Sequence, residues 1–227
     1  MKVAICVSGH VRDYESFLPG LKKLKDHFNA DLFIHSYKLR GNDIRFAFGK
    51  ETQSEKIDYN EIVDILDPKI HEFTEELEPF DFLKGRFYAA GKMFLPEPHY
   101  KMIYKMWCCN ELKKQYENKN NFKYDLVIRT RFDLSYKEYN LSNPNPNKIL
   151  FAAKADDKRF MTDTCFACSS ENMDKMMEIK EHYGKDKIKV EDYLNCEDVF
   201  TQWAHRNGIG ILYGKLYIKL RDKHFDY

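Results

Sequence analysis

Val3–Val7 (VAICV) is the segment that most narrows what this chain can fold into. It is apolar throughout and does not alternate, so as a strand it needs cover on both faces. Ser8-Gly9 ends it with a turn signal. Tyr14–Asn29 then repeats Phe17, Leu18, Leu21, Leu24 and Phe28 at three- and four-residue spacing with lysines between, the period of an amphipathic helix. Ala30–Tyr37 (ADLFIHSY) is strand-like again. A β-loop-α-β opening with a continuous apolar first strand predicts a parallel sheet with helices on both sides.

The pattern continues with breaks. Leu39–Lys56 is polar and without period, a long loop. Tyr59–Leu66 reads as a short helix stopped by Asp67-Pro68, and Lys69–Glu75 as a third strand. Leu77–Pro98 is irregular. Tyr100–Glu117 is the longest helical pattern, with Met102, Ile103, Met106, Trp107 and Leu112 on one side. Lys119–Lys123 turns into a strand at Tyr124–Leu134. After the Pro- and Asn-rich stretch Asn140–Lys148, strands are expected at Ile149–Ala153, Phe160–Cys168 and Ile209–Leu220. Helices are expected at Ser170–Tyr183, capped by Ser169 or Ser170, and at Asn195–Arg206. Arg221–Tyr227 is a polar tail. About three β-α alternations and a mixed second half predict one α/β domain over residues 1–227. Its sheet is mostly parallel, with the later strands (about 136–227) on the acceptor side of residues 1–135.

The 37 Lys and Arg against 36 Asp and Glu leave a net charge of +1, no global field for nucleic acid or an anionic membrane. The first apolar run is shorter than the roughly 7–15 residues of a secretory core, and none approaches the ~20 of a membrane span. The expectation is a cytoplasmic protein (host cytoplasm, if viral) with no integral membrane segment. Of the six cysteines, only Cys165-x-x-Cys168 has metal-like or redox-like spacing, with no second pair to complete zinc. Reduced, half-buried thiols are the better reading.

The strongest chemical signal is Tyr124–Leu134, YDLVIRTRFDL. Strand alternation puts Arg129, Arg131 and Asp133 on one face and Ile128, Thr130, Phe132 and Leu134 on the other. Two guanidiniums and a carboxylate at the end of a central strand are costly unless used or paired. In an open α/β sheet, ligands bind beyond the carboxyl ends of strands. Arginine forks suit a diphosphate, and a strand-end Asp suits Mg²⁺ or Mn²⁺. An internal ion-pair network is the competing reading.

Ser8-Gly9-His10-Val11-Arg12 follows the first strand directly, where a glycine permits close backbone approach and a helix aims its amides into the crevice. It is neither GxGxxG nor a P-loop; an ordinary β-α turn is the alternative. Glu197 and Asp198 open a helix, where the macrodipole alone favours acids; with Asp163 they are candidates for a catalytic base or a ligand of an acceptor hydroxyl. His224 is a candidate metal ligand, against a solvated tail histidine.

Together VAICVSGHVRDY, NADLFIHSY, YDLVIRTRFDL and NCEDVF resemble the small GT-A-type glycosyltransferases of large DNA viruses and some bacteria, the chlorella-virus capsid-glycan type above all. The resemblance runs from Lys2 to about Gly210, and its first and third motifs are the specific ones. It implies a single Rossmann-related sheet binding a nucleotide-diphospho-sugar, with a UDP-sugar donor and a glycan or glycoprotein acceptor as partners and Mn²⁺ or Mg²⁺ held by a DxD-like element. Asp133 would then be the last Asp of that element, and His224 a second ligand. Gly9, His10 and Arg12 would lie beside the nucleotide, and Asp163 and Glu197–Asp198 would face sugar or acceptor. One departure stands out: Arg131 replaces the usual first Asp. Either the metal is weakly held, or Arg131 neutralises phosphate charge in its place. A sugar-nucleotide nucleotidyltransferase or hydrolase, or a non-catalytic carbohydrate-binding module, are the alternatives.

Overall fold

The computed structural model describes residues 1–11, 14–38, 58–75, 87–89, 92–94, 96–136, 148–152, 161, 163–184, 196–214 and 218–220. The first strand, β1 (Val3–Gly9), is followed by helix α1 (Tyr14–Phe28), β2 (Asp31–Tyr37), α2 (Tyr59–Leu66) and β3 (Ile70–Thr74). β1 pairs parallel with β2, and β2 with β3. The chain then adds β4 (Phe87–Ala89), β5 (Lys92–Phe94), the long helix α3 (Pro96–Asn120), β6 (Leu126–Thr130) and β7 (Leu134–Tyr136). Beyond these lie β8 (Lys148–Ala152), β9 (Phe166–Cys168), α4 (Ser170–Met177), α5 (Ile179–His182), α6 (Cys196–Arg206), β10 (Gly210–Gly214) and β11 (Ile218–Leu220).

Seven of these strands form one sheet in the order β10-β8-β9-β6-β1-β2-β3. All run parallel except β9, which is antiparallel to both β6 and β8. The expected α/β architecture with a mostly parallel sheet and a mixed second half is therefore what the chain adopts. β4 pairs with β5, and β11 with β7, as two small antiparallel ribbons.

The sheet divides the core in two. On one face, Val3, Ile5, Val7, Leu32, Ile34, Leu126 and Ile128 pack with Leu18, Leu21 and Leu24 of α1 and Ile62 and Leu66 of α2. On the other, Ala4, Cys6, Phe33 and Val127 pack with α3, α4, α5 and α6 through residues such as Ile103, Met106, Met173 and Phe200. Each fully buried Val, Leu or Ile is worth about 1.5–3 kcal/mol, which is why the unalternating first strand tolerates no exposed face. Helix ends follow local chemistry. Asp58 caps α2 by accepting from the amides of Asn60 and Glu61, and Lys25 donates to the carbonyls of Leu66 and Asp67 at its other end.

Several expected boundaries differ. The strand read at Tyr124–Leu134 is interrupted: its ladder covers Leu126–Thr130, a turn holds Phe132 and Asp133, and β7 pairs elsewhere. Burial alternation nevertheless persists, since Phe132 and Leu134 bury on the same side as Ile128. The irregular region Leu77–Pro98 contains the β4–β5 ribbon and the start of α3. The helix at Ser170–Tyr183 is two helices meeting at Glu178, the first capped by Ser169 through the Asn172 amide. Ile209–Leu220 splits into β10 and β11, which belong to different sheets. The Leu39–Lys56 loop, most of Asn140–Lys148 and the tail fall outside the described residues.

Candidate functional site

Strand order reverses at β1. The connection from β1 steps to β2 and β3 on one side, while β6 lies on the other. Such a switch point leaves a crevice at the carboxyl ends of the two central strands, where open α/β sheets place their ligands. β1 and β6 are in register from Val3 opposite Leu126 to Val7 opposite Thr130. The ladder ends there: Ser8 and Gly9 continue β1 beside β2, while Arg131–Asp133 leave β6 in a turn.

Gly9 adopts φ +115°, a region closed to residues with a Cβ, and a Cβ built there meets nothing within 4 Å. Its backbone thus borders open space at the mouth of the crevice. Its carbonyl is fixed by the Ser36 hydroxyl, which donates to it at 2.6 Å. The His10 and Tyr37 rings are tilted against each other with centroids 4.7 Å apart, and the Lys105 ammonium lies 3.6 Å from the Tyr37 ring centroid. Lys105 also donates to the Ser36 carbonyl at 3.3 Å and to the Thr74 hydroxyl. Tyr37 and Lys105 did not emerge from the sequence pattern. The available signal was a lysine on the inward stripe of α3, four residues before Cys109 and seven before Leu112.

Arg129 is 1% exposed. Its Nη1 donates to the carbonyls of Asp163 and Thr164, the latter at 2.7 Å. Burial pulls the guanidinium down to about 10, so it stays charged at neutral pH. Its Nε and Nη2 have no hydrogen-bond partner among the described residues; the same holds for the Ser8 hydroxyl and for Nδ1 of His35. Ser8 is in register with His35, and Arg129 with Cys6, so these three side chains sit on the α3 face of three adjacent strands. Burial, with Lys105 nearby, lowers His35 to about 4, leaving a neutral imidazole.

Arg131 and Asp133 form a two-pronged pair. Nε donates to Oδ1 at 2.9 Å and Nη2 to Oδ2 at 2.6 Å. Asp133 is 5% exposed, while the Arg131 side chain keeps 21% of its surface open. Next to Arg129, Asp163 and the first turn of α6 come together. Thr201 accepts from the Met161 amide at 2.8 Å and donates to the Glu197 carbonyl at 2.7 Å, tying the segment to the helix. Burial pushes the Cys196 thiol well up, and the Asp163 and Glu197 carboxylates add to that rise, which locates both acids around it. His99, in the first turn of α3, is pulled down by burial and back up by Asp163. Asp163 and Glu197 are half-buried; Asp198 is 7% exposed and turned inward.

Ser8 and Gly9 thus end β1 and His10 follows them; Arg129 lies in the neighbouring β6 with Arg131 and Asp133 just beyond it, and the Asp163 carbonyl accepts from Arg129 while its carboxylate lies near Cys196, which precedes Glu197 and Asp198. Arg12 and His224 lie outside the described residues. β11 ends at Leu220 opposite Leu134, the neighbour of Asp133, and His224 follows in sequence four positions later. Both oxygens of Asp133 accept from Arg131, and no group of three or more His, Cys, Asp or Glu that could hold a metal ion is assembled among the described residues. No described helix is long and apolar enough to cross a membrane.

Fold and site define an α/β protein with a polar crevice at the switch point of a seven-stranded sheet. Residues 1–156 match the family described as a domain of unknown function, DUF7796, and the chain belongs to that family. No curated protein matches it. Among solved structures, it is similar to the crystal structure of a glycosyltransferase involved in the glycosylation of the major capsid of PBCV-1. That likeness has 8% identity and a TM-score of 0.45, covering 94% of this chain and 82% of the other.

Proposed function

We propose that the protein is a glycosyltransferase that binds a nucleotide-diphospho-sugar, a UDP-sugar first among them, in the β1–β6 crevice and passes the sugar to a hydroxyl of a glycan or glycoprotein. The observation that carries this reading is the row of buried polar atoms without protein partners at Ser8, His35 and Arg129, placed at the carboxyl edge of the switch point. Native interiors satisfy such atoms, and the exceptions mark places where another group belongs.

In this reading Gly9 lets the nucleotide approach the backbone, and His10 and Tyr37 flank it. Arg131 faces the diphosphate. The acceptor oxygen forms its bond to the anomeric carbon as the bond from that carbon to the diphosphate oxygen breaks. The electron pair leaves with the diphosphate, where the guanidinium stabilises the developing charge. The acceptor proton passes to a carboxylate among Asp163, Glu197 and Asp198; Asp163 and Glu197 have the open surface that this step needs.

Thermal unfolding with UDP-, GDP- and dTDP-sugars tests binding. A ligand at 100 times its Kd adds about 2.7 kcal/mol of stability, an upward shift of several degrees. Absence of a shift with every one of them rules the reading out. Product analysis then separates transfer, which requires an acceptor, from release of monophosphate or pyrophosphate without one.

A further inference from the structure

We propose that Arg129 is an anion-binding residue, whose Nε and Nη2 take phosphoryl oxygens of the donor's diphosphate at the carboxyl end of β6. This inference rests on the glycosyltransferase reading and adds to it the residue that meets the diphosphate from beneath the crevice.

Arg129 is the last residue but one of β6, opposite Cys6 of β1 on one side and Phe166 of β9 on the other. Strand alternation sets it on the face that Cys6 and Val127 turn toward α3. Its Nη1 reaches the segment before β9, where the carbonyls of Asp163 and Thr164 accept from it. A guanidinium carries five N–H bonds, and those of Nε and Nη2 meet no acceptor among the described residues. At 1% exposure, bulk solvent does not reach them either.

The Ser8 hydroxyl and the His35 imidazole also lack partners, but both are neutral, and a buried water can satisfy a neutral group. Water cannot balance a cation, which in an interior needs an anion against it. The described residues supply none in contact. Asp163 and Asp133 act on the guanidinium through their charge without bonding to Nε or Nη2. The thiols of Cys109, Cys165 and Cys196 feel it too, yet burial keeps them protonated, pushing Cys165 up to about 12. What Nε and Nη2 are spaced to hold is a pair of oxygens on one anionic group. Asp163 and Thr164 are half-buried, which sets the guanidinium one residue beneath the surface, at the end of the sheet where open α/β proteins bind their ligands. In a UDP-sugar, the diphosphate is the part with that charge and those oxygens.

The probe is inorganic pyrophosphate, titrated into the full chain in millimolar Mg²⁺ and followed by NMR at the Nε–H proton of Arg129, a signal that Arg129→Lys identifies by its loss. The signal should move downfield as pyrophosphate saturates the chain, and UDP should move it the same way. By calorimetry, Arg129→Lys keeps the charge but loses the fork, and should weaken pyrophosphate and UDP alike by about 10- to 100-fold. Circular dichroism confirms that the variant is folded. An arginine that only braces Asp163 and Thr164 would leave the signal in place. An unmoved signal at saturation, or parent-like affinity in the folded variant, overturns the inference and leaves the glycosyltransferase reading standing. Should Arg129→Lys not fold, the parent crystallised with pyrophosphate decides: phosphoryl oxygens on Nε and Nη2 support the inference, and oxygens bound elsewhere overturn it. Pyrophosphate that moves the signal, in a chain whose thermal midpoint no nucleotide-sugar raises, supports the phosphoryl site and removes the glycosyltransferase reading. If pyrophosphate, UDP, GDP and dTDP all fail to bind, both fall.

Discussion

Gly9 is held at φ +115° with open space where a side chain would begin, so substitution there isolates backbone strain from steric clash. Gly9→Ala should cost about 1–3 kcal/mol, the usual penalty for a residue with a Cβ in a sparsely populated region, read as a lower urea midpoint at unchanged slope. A midpoint equal to the parent's would show that the loop relaxes freely. His35 makes a second residue-scale prediction. Its folded imidazole titrates near 4, lowered by burial and by Lys105, whereas an unfolded one titrates near 6.5. Between those values the unfolded chain binds more protons, so stability falls as pH falls. The contribution is full above about pH 6.5 and disappears progressively as pH approaches 4. Thermal midpoints recorded at pH 7 and pH 5 should show the parent losing more than His35→Gln. Equal losses would place the proton elsewhere.

Among the elements, α3 is the one whose interior is least like a helix of ordinary amphipathic design. It carries Lys105, Asn110, Lys113 and Glu117 in buried positions. The reason is its place between the sheet and α4: it has two covered faces, and the second is polar. Lys113 donates to the Ser170 hydroxyl at 2.6 Å and to Asp174 at 3.0 Å, while Glu117 accepts from Ser170 at 2.6 Å and from the Tyr124 amide at 2.9 Å. Lys113 and Glu117 are both fully buried. Lys113→Met should therefore lower stability by about 1–3 kcal/mol, since it removes the buried donor to Ser170 and Asp174 while Lys123 still pairs with Glu117 at 3.0 Å and with Asp174 at 3.5 Å, whereas Lys175→Ala, which breaks an exposed pair with Glu171, should leave the thermal midpoint where it was. Similar midpoints for the two variants would show that the buried network contributes no more than the surface pair.

The same scale explains what could be read from residues alone. β1, α1, β2, α2 and β3 declare themselves through local period and caps, because each needs only its own stripe or face. Arg129, Arg131 and Asp133 were legible as charges beside a core strand, and burial alternation through Phe132 and Leu134 kept their faces right. The end of the ladder at Thr130 was not legible, since a side-chain pattern can outlast the backbone pairing beneath it. Nor was the Arg131–Asp133 fork: alternation sets a face but not whether two neighbours on it turn to each other. Tyr37 and Lys105 meet across 68 positions of sequence (105 − 37) and only the packing of α3 on β2 brings them together. The union of Asp163 with α6 depends on Thr201 in the same nonlocal way.

At the scale of the whole molecule, strand order decides what can fold alone. Residues 1–156 include β1, β2, β3, β6 and β8 but not β9 or β10. In the sheet, β9 stands between β6 and β8, and the only other neighbour of β8 is β10. A fragment ending at residue 156 would thus leave β6 as an open edge and β8 with no partner, a template for aggregation. It would also lack α4, α5 and α6, stripping Met106, Cys109 and Phe33 of the helices that complete their cluster. The full chain should unfold in one cooperative thermal transition, as expected when a single sheet runs through both halves, while a 1–156 fragment should show none by circular dichroism or calorimetry. A cooperative transition in that fragment would mean that the first half closes its own core, and that β9 docks onto a sheet already formed rather than completing it.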